Sequence, residues 1–206
     1  MFKEFLKHLF PRVVLQQNLR LSYTFCLGGL AFTALLALAC SGFLLLFYYR
    51  PAATEAYASI LFLEESVYGG SYLRSLHRLA SHCFLILIVL HTLRVVLTGA
   101  FAPPRQRNWL IGVILLGLAV CEAYTGYLLP LDQLAFWATQ TGMTLLEALP
   151  LGPLLKTILV PDQVGGPLSL TRFYVLHIVV LPFLTMGLCL LHFYLVRKQK
   201  GVLPYL

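Results

Sequence analysis

Residues 72–98 read YLRSLHRLASHCFLILIVLHTLRVVLT, and residues 170–197 read LTRFYVLHIVVLPFLTMGLCLLHFYLVR. Both stretches are apolar over a length that spans a bilayer. Each carries two histidines, His77 and His91 on the first and His177 and His192 on the second, at intervals of 14 and 15 residues. At about 100° per residue, 14 steps return to within about 40° of the start and 15 steps to within about 60°. Each pair therefore lies on one helix face. With about 1.5 Å of rise per residue, its members stand roughly 21–23 Å apart along the axis.

Working outward, further spans are expected at about 22–49 and 108–130. The chain has 206 residues, 59% of them hydrophobic and 11% charged, with a mean hydropathy of +0.82. Soluble domains carry about 25% charged residues. The fold class is therefore an all-α membrane protein, with four transmembrane helices forming one bundle and one domain over residues 1–206. Phe2, Phe5, Leu6, Leu9 and Phe10 recur at helical spacing among Lys3, Lys7 and Arg12. Residues 1–20 accordingly read as an amphipathic surface helix and not as a cleavable signal peptide. The connection 50–71 reads as a loop with a Tyr68-Gly69-Gly70 break. Pro103-Pro104-Arg105-Gln106-Arg107 is a short, stiff turn between the second and third spans. The connection 131–169 is long for a bundle, and its stretch 133–149 reads as one or two interfacial helices.

Ten of the fifteen basic residues fall on the side of the two termini and the 99–107 turn. Both termini are thus expected on the cytoplasmic side of a bacterial membrane, with a thylakoid left open. The net charge of +7 reflects topology and anionic lipid, and gives no support to nucleic-acid binding. Cys26, Cys40, Cys83, Cys121 and Cys189 are single, without metal-site or haem-attachment spacing. By residue type alone they are packing residues.

A lone histidine in a span is more often a satisfied interior polar group. Four at two matched depths are a different matter. The second and fourth spans run in the same direction, so His77 meets His177 at one depth and His91 meets His192 at the other. Stacked bis-histidine haem sites need this arrangement, and imidazole is a strong iron ligand. Gly28 and Gly42 on the first span and Gly112 and Gly126 on the third are again 14 apart. They offer room where a flat macrocycle meets a neighbouring helix; ordinary close packing is the competing reading. Arg74, Arg78, Arg94 and Arg197 flank the histidines as candidate partners of haem propionates, against a reading as snorkelling interface residues. Glu122 lies inside the third span, either as a tuning or proton-carrying acid or as a hydrogen-bonded structural residue. His82 is about 140° from His77 around the helix and is expected to face away. His82 and His8 are both read as non-ligands.

Arg74-Ser75-Leu76-His77-Arg78, His91-Thr92-Leu93-Arg94, Thr125-Gly126-Tyr127-Leu128-Leu129-Pro130 and Thr171-Arg172-Phe173-Tyr174-Val175-Leu176-His177 together resemble the N-terminal half of cytochrome b. The histidine spacing, the short chain and Arg197-Lys198-Gln199 resemble the split form, cytochrome b6. The resemblance covers about residues 20–200. It implies two b-type haems, ligated by His77/His177 and His91/His192. It implies a role as the electron-transfer subunit of a quinol:cytochrome c (or plastocyanin-like) oxidoreductase that builds a proton gradient. The partners it implies are a Rieske iron–sulfur protein, a c-type cytochrome, quinone, and a second cytochrome b half. That half would carry the Pro-Glu-Trp-Tyr motif absent here, so the chain alone would not be a complete enzyme. The complexes of this family are dimers. The segment Tyr23-Thr24-Phe25-Cys26-Leu27-Gly28-Gly29 resembles the stretch whose cysteine carries a third, c-type haem by one thioether, which implies that role for Cys26. Two positions depart from the pattern: Leu131 stands where the family has tryptophan, and Glu122 where it is apolar. The rival readings are a di-haem anchor of a hydrogenase or formate dehydrogenase, and a haem-free transporter or structural subunit.

Overall fold

The computed structural model describes residues 24–199, and the surface helix expected over residues 1–20 lies outside them. Every regular element among the described residues is helical. They are α1 (Leu27–Leu45), α2 (Ala56–Ser66), α3 (Gly70–Leu97), α4 (Gln106–Leu128), α5 (Gln133–Glu147), α6 (Gly152–Leu159), α7 (Pro167–Val175) and α8 (Leu181–Lys198), with a π-helical turn over Leu176–Val180 joining the last two. α1, α3, α4 and the continuous run Pro167–Lys198 are long and apolar enough to cross a membrane. Large apolar side chains such as Phe43, Ile86, Leu110 and Phe183 are exposed along them. Water would not tolerate that surface and lipid does. The chain is an integral membrane protein.

The described residues fall into two compact units. One takes the chain up to Leu36, Ser81–Val120, and the chain from Phe183 on; the other takes Ala37–Ala80 and Cys121–Pro182. In the first, Phe32 meets Phe193 edge to face at 5.0 Å between ring centroids. The turn before α4 is tied by Gln199 Nε2 donating to the Pro104 carbonyl at 3.0 Å.

The second unit holds both long connections. Where the sequence reads as a loop over 50–71, the chain forms α2. Its spacing Ala56, Ser59, Leu63 buries one face, a 3.6-period stripe masked in sequence by Tyr57, Phe62 and Glu65 on the other faces. Gly70 follows because its Cα lies against the Leu63 carbonyl, where a Cβ would overlap that oxygen. Arg74 then pairs with Glu64 of α2. Across the unit, the Tyr49 hydroxyl donates to the Leu129 carbonyl at 2.6 Å, and burial raises its pKa above the usual phenol range.

The 131–169 connection folds as α5 and α6. Asp132 caps α5 by accepting from Ala135 N at 2.7 Å, which satisfies one of the orphan donors of a helix start. Leu128, Met143, Val160, Val164 and Phe173 form the core beneath these helices. At the start of α7 the Asp162 carboxylate accepts from Leu168 N at 3.0 Å and Ser169 N at 3.2 Å, and from the Ser169 hydroxyl. Those donors, the Ser169 hydroxyl first, hold its pKa down at about 2.

The π turn has a local cause. Pro182 has no N–H and its ring would crowd the carbonyl four residues back. One extra residue in the turn accommodates this: Leu181 N–H bonds the Leu176 carbonyl five residues earlier. π turns of this kind recur at functional positions, and His177 lies within this one.

Candidate functional site

α3 and the final helical run bring the histidines together as their periodicity requires. In one unit the rings of His77 and His177 have centroids 6.4 Å apart and cross at 83°. In the other, His91 and His192 are also 6.4 Å apart, crossing at 81°. An imidazole nitrogen binds a metal at about 2 Å. Adding about 1.2 Å from each nitrogen to its ring centre, a metal midway between two such rings sets their centres about 6 Å apart. Neither pair has the third protein ligand a bare metal would need: no group of three or more metal-binding side chains occurs among the described residues. Two histidine nitrogens suit a group that brings further donors of its own, as haem would.

Each imidazole is backed by one of the four spaced glycines. A Cβ at Gly42 would stand 3.2 Å from His77 Cε1, at Gly126 2.5 Å from His177 Cε1, at Gly28 3.2 Å from His91 Cε1, and at Gly112 3.5 Å from His192 Cε1. The 14-residue repeat on α1 and α4 thus mirrors that of the histidines, with a physical reason different from the one expected. The glycines clear room for imidazole rings, which in turn set where a macrocycle can lie.

Polar neighbours fix the rings of the first pair. Ser41 Oγ lies 2.8 Å from His77 Nδ1 and donates its own hydrogen to the Ala37 carbonyl at 2.7 Å. Its oxygen therefore accepts from Nδ1–H. His177 Nδ1 lies 3.0 Å from the Glu122 carbonyl, which can only accept, and 3.3 Å from Thr125 Oγ1. Both bonds place the proton on Nδ1 and leave Nε2 as the free lone pair. It is the backbone of Glu122, not the carboxyl singled out in the sequence, that serves the histidine. Ser41 and Thr125 escaped the sequence reading, although each directly precedes a spaced glycine.

Beside His91 and His192 lies a mostly apolar cavity of about 280 Å³, walled by Phe32, Leu35, Phe84 and Leu116 and reaching Cys26 and Arg94. Cys26 is exposed and sits with Phe25 in the left-handed region, φ +51° and +50°. Its amide donates to Thr24 Oγ1 at 3.2 Å. Two consecutive non-glycine residues in that conformation are costly, and they place Cys26 on the cavity wall.

The arginines divide. Arg94 lines the cavity. Arg74 is engaged by Glu64, a partner the sequence reading missed. Arg78 is exposed, and Arg197 is not on the cavity wall. His82 is exposed and takes part in neither pair; His8 lies outside the described residues.

Comparison with known proteins gives the family and the fold. The family described as Cytochrome b/b6/petB matches residues 13–200. Cytochrome b6 of Gracilaria tenuistipitata var. liui is 42% identical over 176 residues, 85% of this chain and 82% of that protein. In fold, the chain resembles a solved structure titled Hyperthermophilic respiratory Complex III, with a TM-score of 0.83 and 24% identity, covering 98% of this chain. The chain spans about half of that chain's length, 53%.

Proposed function

Because the chain belongs to the cytochrome b/b6 family, we propose that it is the di-haem subunit of a quinol:cytochrome c, or plastocyanin-like, oxidoreductase. His77 and His177 would hold an outer b-type haem, and His91 and His192 an inner one. One observation carries this: two histidine pairs with the same 6.4 Å separation and near-perpendicular rings, each ring backed by a glycine. Family membership sets aside the hydrogenase-anchor and haem-free readings.

Bound haem supplies one-electron chemistry at a potential that its ligands and surroundings tune. The chain's own residues do the rest. The four histidines hold iron at two depths. Ser41 and the Glu122 carbonyl hold the outer imidazoles in one tautomer. Phe32, Leu35, Phe84 and Leu116 keep water from the inner site. The spacing along α3, roughly 21 Å at helical rise, would separate His77 from His91 and with them the two depths at which haem would be held. Arg94 is the candidate propionate partner for the inner haem, with Arg74 and Arg78 at the outer one. Arg74 there would share its charge with Glu64. Arg197 remains in the proposal from its place at the end of α8.

By family resemblance, Cys26 carries a third haem through one thioether. Its position on the wall of the inner cavity supports this. Further parts of the proposal are a single membrane domain with both termini cytoplasmic, in a bacterial membrane or a thylakoid. A Rieske protein, a second cytochrome b half, a c-type cytochrome and quinone are its partners, within a dimeric complex. A reduced-minus-oxidised spectrum of the purified complex tests the core of it. Two b-type components, one lost in His77→Ala and the other in His192→Ala, are expected; a complex without b-type bands would remove the proposal.

A further inference from the structure

Tyr49 stands where three supports of the outer histidine pair meet. It lies four residues beyond the end of α1, with its amide donating to the Leu45 carbonyl at 3.1 Å. Its hydroxyl donates to the Leu129 carbonyl at 2.6 Å, across 80 residues of sequence. Its ring lies against that of Tyr174, with 5.5 Å between centroids and a tilt of 31°. These residues belong, with His77 and His177, to one compact unit.

Each contact leads to a histidine by a short path. α1 carries Ser41, which accepts from His77 Nδ1, and Gly42, which clears room for that ring. Leu129 directly follows α4 and comes three residues after Gly126. The Gly126 backbone closes on the His177 ring so tightly that a Cβ would stand 2.5 Å from Cε1. Tyr174 precedes His177 by three residues, close to one helical turn. The last carbonyls of a helix have no partner within it, and a half-buried phenol needs an acceptor. One bond meets both needs. Within the final turn itself, the Leu129 amide reaches the Gly126 carbonyl only at 3.4 Å. The shorter cross-link from Tyr49 therefore does more to fix this end of α4 than the turn does.

We infer that Tyr49 is a positioning residue for the outer histidine pair. Its hydroxyl fixes the end of α4 and so the glycine backbone against which the His177 ring rests. Its ring steadies Tyr174 one turn before that histidine, and its backbone is anchored to the helix that serves His77. It acts through these neighbours to keep the two imidazole planes at 83°. Contacts that orient a ligand ring also tune the metal it holds. The inference rests on the haem reading above and adds to it a residue outside every histidine motif.

The test uses the intact complex, with Tyr49→Phe, Tyr174→Leu and Tyr48→Phe. A low-spin ferric haem reports the angle between its two imidazole planes in its g-values, so paramagnetic resonance of both b-type components is recorded. Haem retention is followed in detergent against excess apomyoglobin. Tyr49→Phe keeps the ring and removes only the hydroxyl. Its outer signal is expected to move and broaden, and its outer haem to be held about tenfold less firmly, the low end for an outer-shell partner. The inner signal stays in place. Tyr48→Phe, at the neighbouring and more exposed tyrosine, leaves both components as in wild type. If Tyr49→Phe fails to assemble, Tyr174→Leu decides, with the same outer shift expected. An assembled Tyr49→Phe complex with wild-type outer g-values and retention would overturn the inference. So would an equal change in both components, or the same change in Tyr48→Phe, since either marks a general loosening of the fold. A wild-type complex without b-type bands is a different failure, of the haem reading itself.

Discussion

His77 and His177 each give their Nδ1 proton to a fixed acceptor, Ser41 Oγ and the Glu122 carbonyl. If these rings hold iron, a methyl group cannot replace them, so His77→Ala or His177→Ala is expected to lose the outer haem while the inner component survives in the spectrum. His91→Ala or His192→Ala does the converse. His82→Ala, on the exposed side of α3, leaves both; loss of a haem there with retention in His77→Ala would contradict the pairing. At Cys26 the expectation concerns a covalent bond. Haem-dependent peroxidase staining survives denaturing electrophoresis in the wild type and disappears in Cys26→Ser, with both b-type haems retained. With the four paired histidines assigned to the two b-type haems, a third haem on Cys26 would lack a paired histidine and is expected to be high-spin. A wild-type chain that releases all its haem in denaturant would return Cys26 to a packing role.

At the scale of the elements, α4 is a scaffold whose small residues decide what fits. A Cβ at Gly126 falls 2.5 Å from His177 Cε1 and 3.0 Å from its Nε2. The ring is held by the Glu122 carbonyl and cannot swing aside, so Gly126→Ala is expected to cost about 1–3 kcal/mol, as overpacking does, and to displace the outer haem. Gly117 on the same helix faces open space; Gly117→Ala leaves the spectrum and the Tm near wild type. The start of α7 depends on Asp162. Its carboxyl, held at about 2 in the fold, has an ordinary value near about 3.9. A depressed acid contributes stability that is fully present above the ordinary value and is lost as pH falls toward the folded one. Hydrogen-exchange protection at Leu168 and Ser169, corrected for intrinsic rates, should hold from neutral pH to about 5 and decline between about 4 and 2. A flat profile over that range would show that Asp162 does not secure the turn.

At the scale of the whole molecule, the prediction concerns what residues 1–206 do without a second half. It spans 53% of the complex III chain it resembles in fold, and the Pro-Glu-Trp-Tyr sequence is absent from it. The expected outcome is that this chain, purified with its haems but without a second half, is reduced by dithionite and shows no quinol:cytochrome c activity. Adding back the second half and the Rieske protein restores it. Turnover by the chain alone would place quinol oxidation within these residues.

The sequence by itself determined the four spans, the two histidine pairs and their depths. These follow from hydropathy and from the 3.6-residue period, and both are local properties of a helix. The same period revealed the glycines, but their purpose became plain only when α1 and α4 were seen to back the imidazoles. The hydrogen-bond partners of the outer histidines lie 36 and 55 residues away in sequence, and no local pattern connects them. α2 was hidden because apolar residues on its other faces, Tyr57 and Phe62 among them, blur the narrow stripe that it buries. The pairing of Arg74 with Glu64 was not legible in the sequence, since a charge does not reveal its counter-ion. Arg105 and Gln199 read as turn and terminus, and Asn108 as the start of the third span. Only the convergence of helix ends brought them to line one small cavity, because burial is a property of packing and not of the chain.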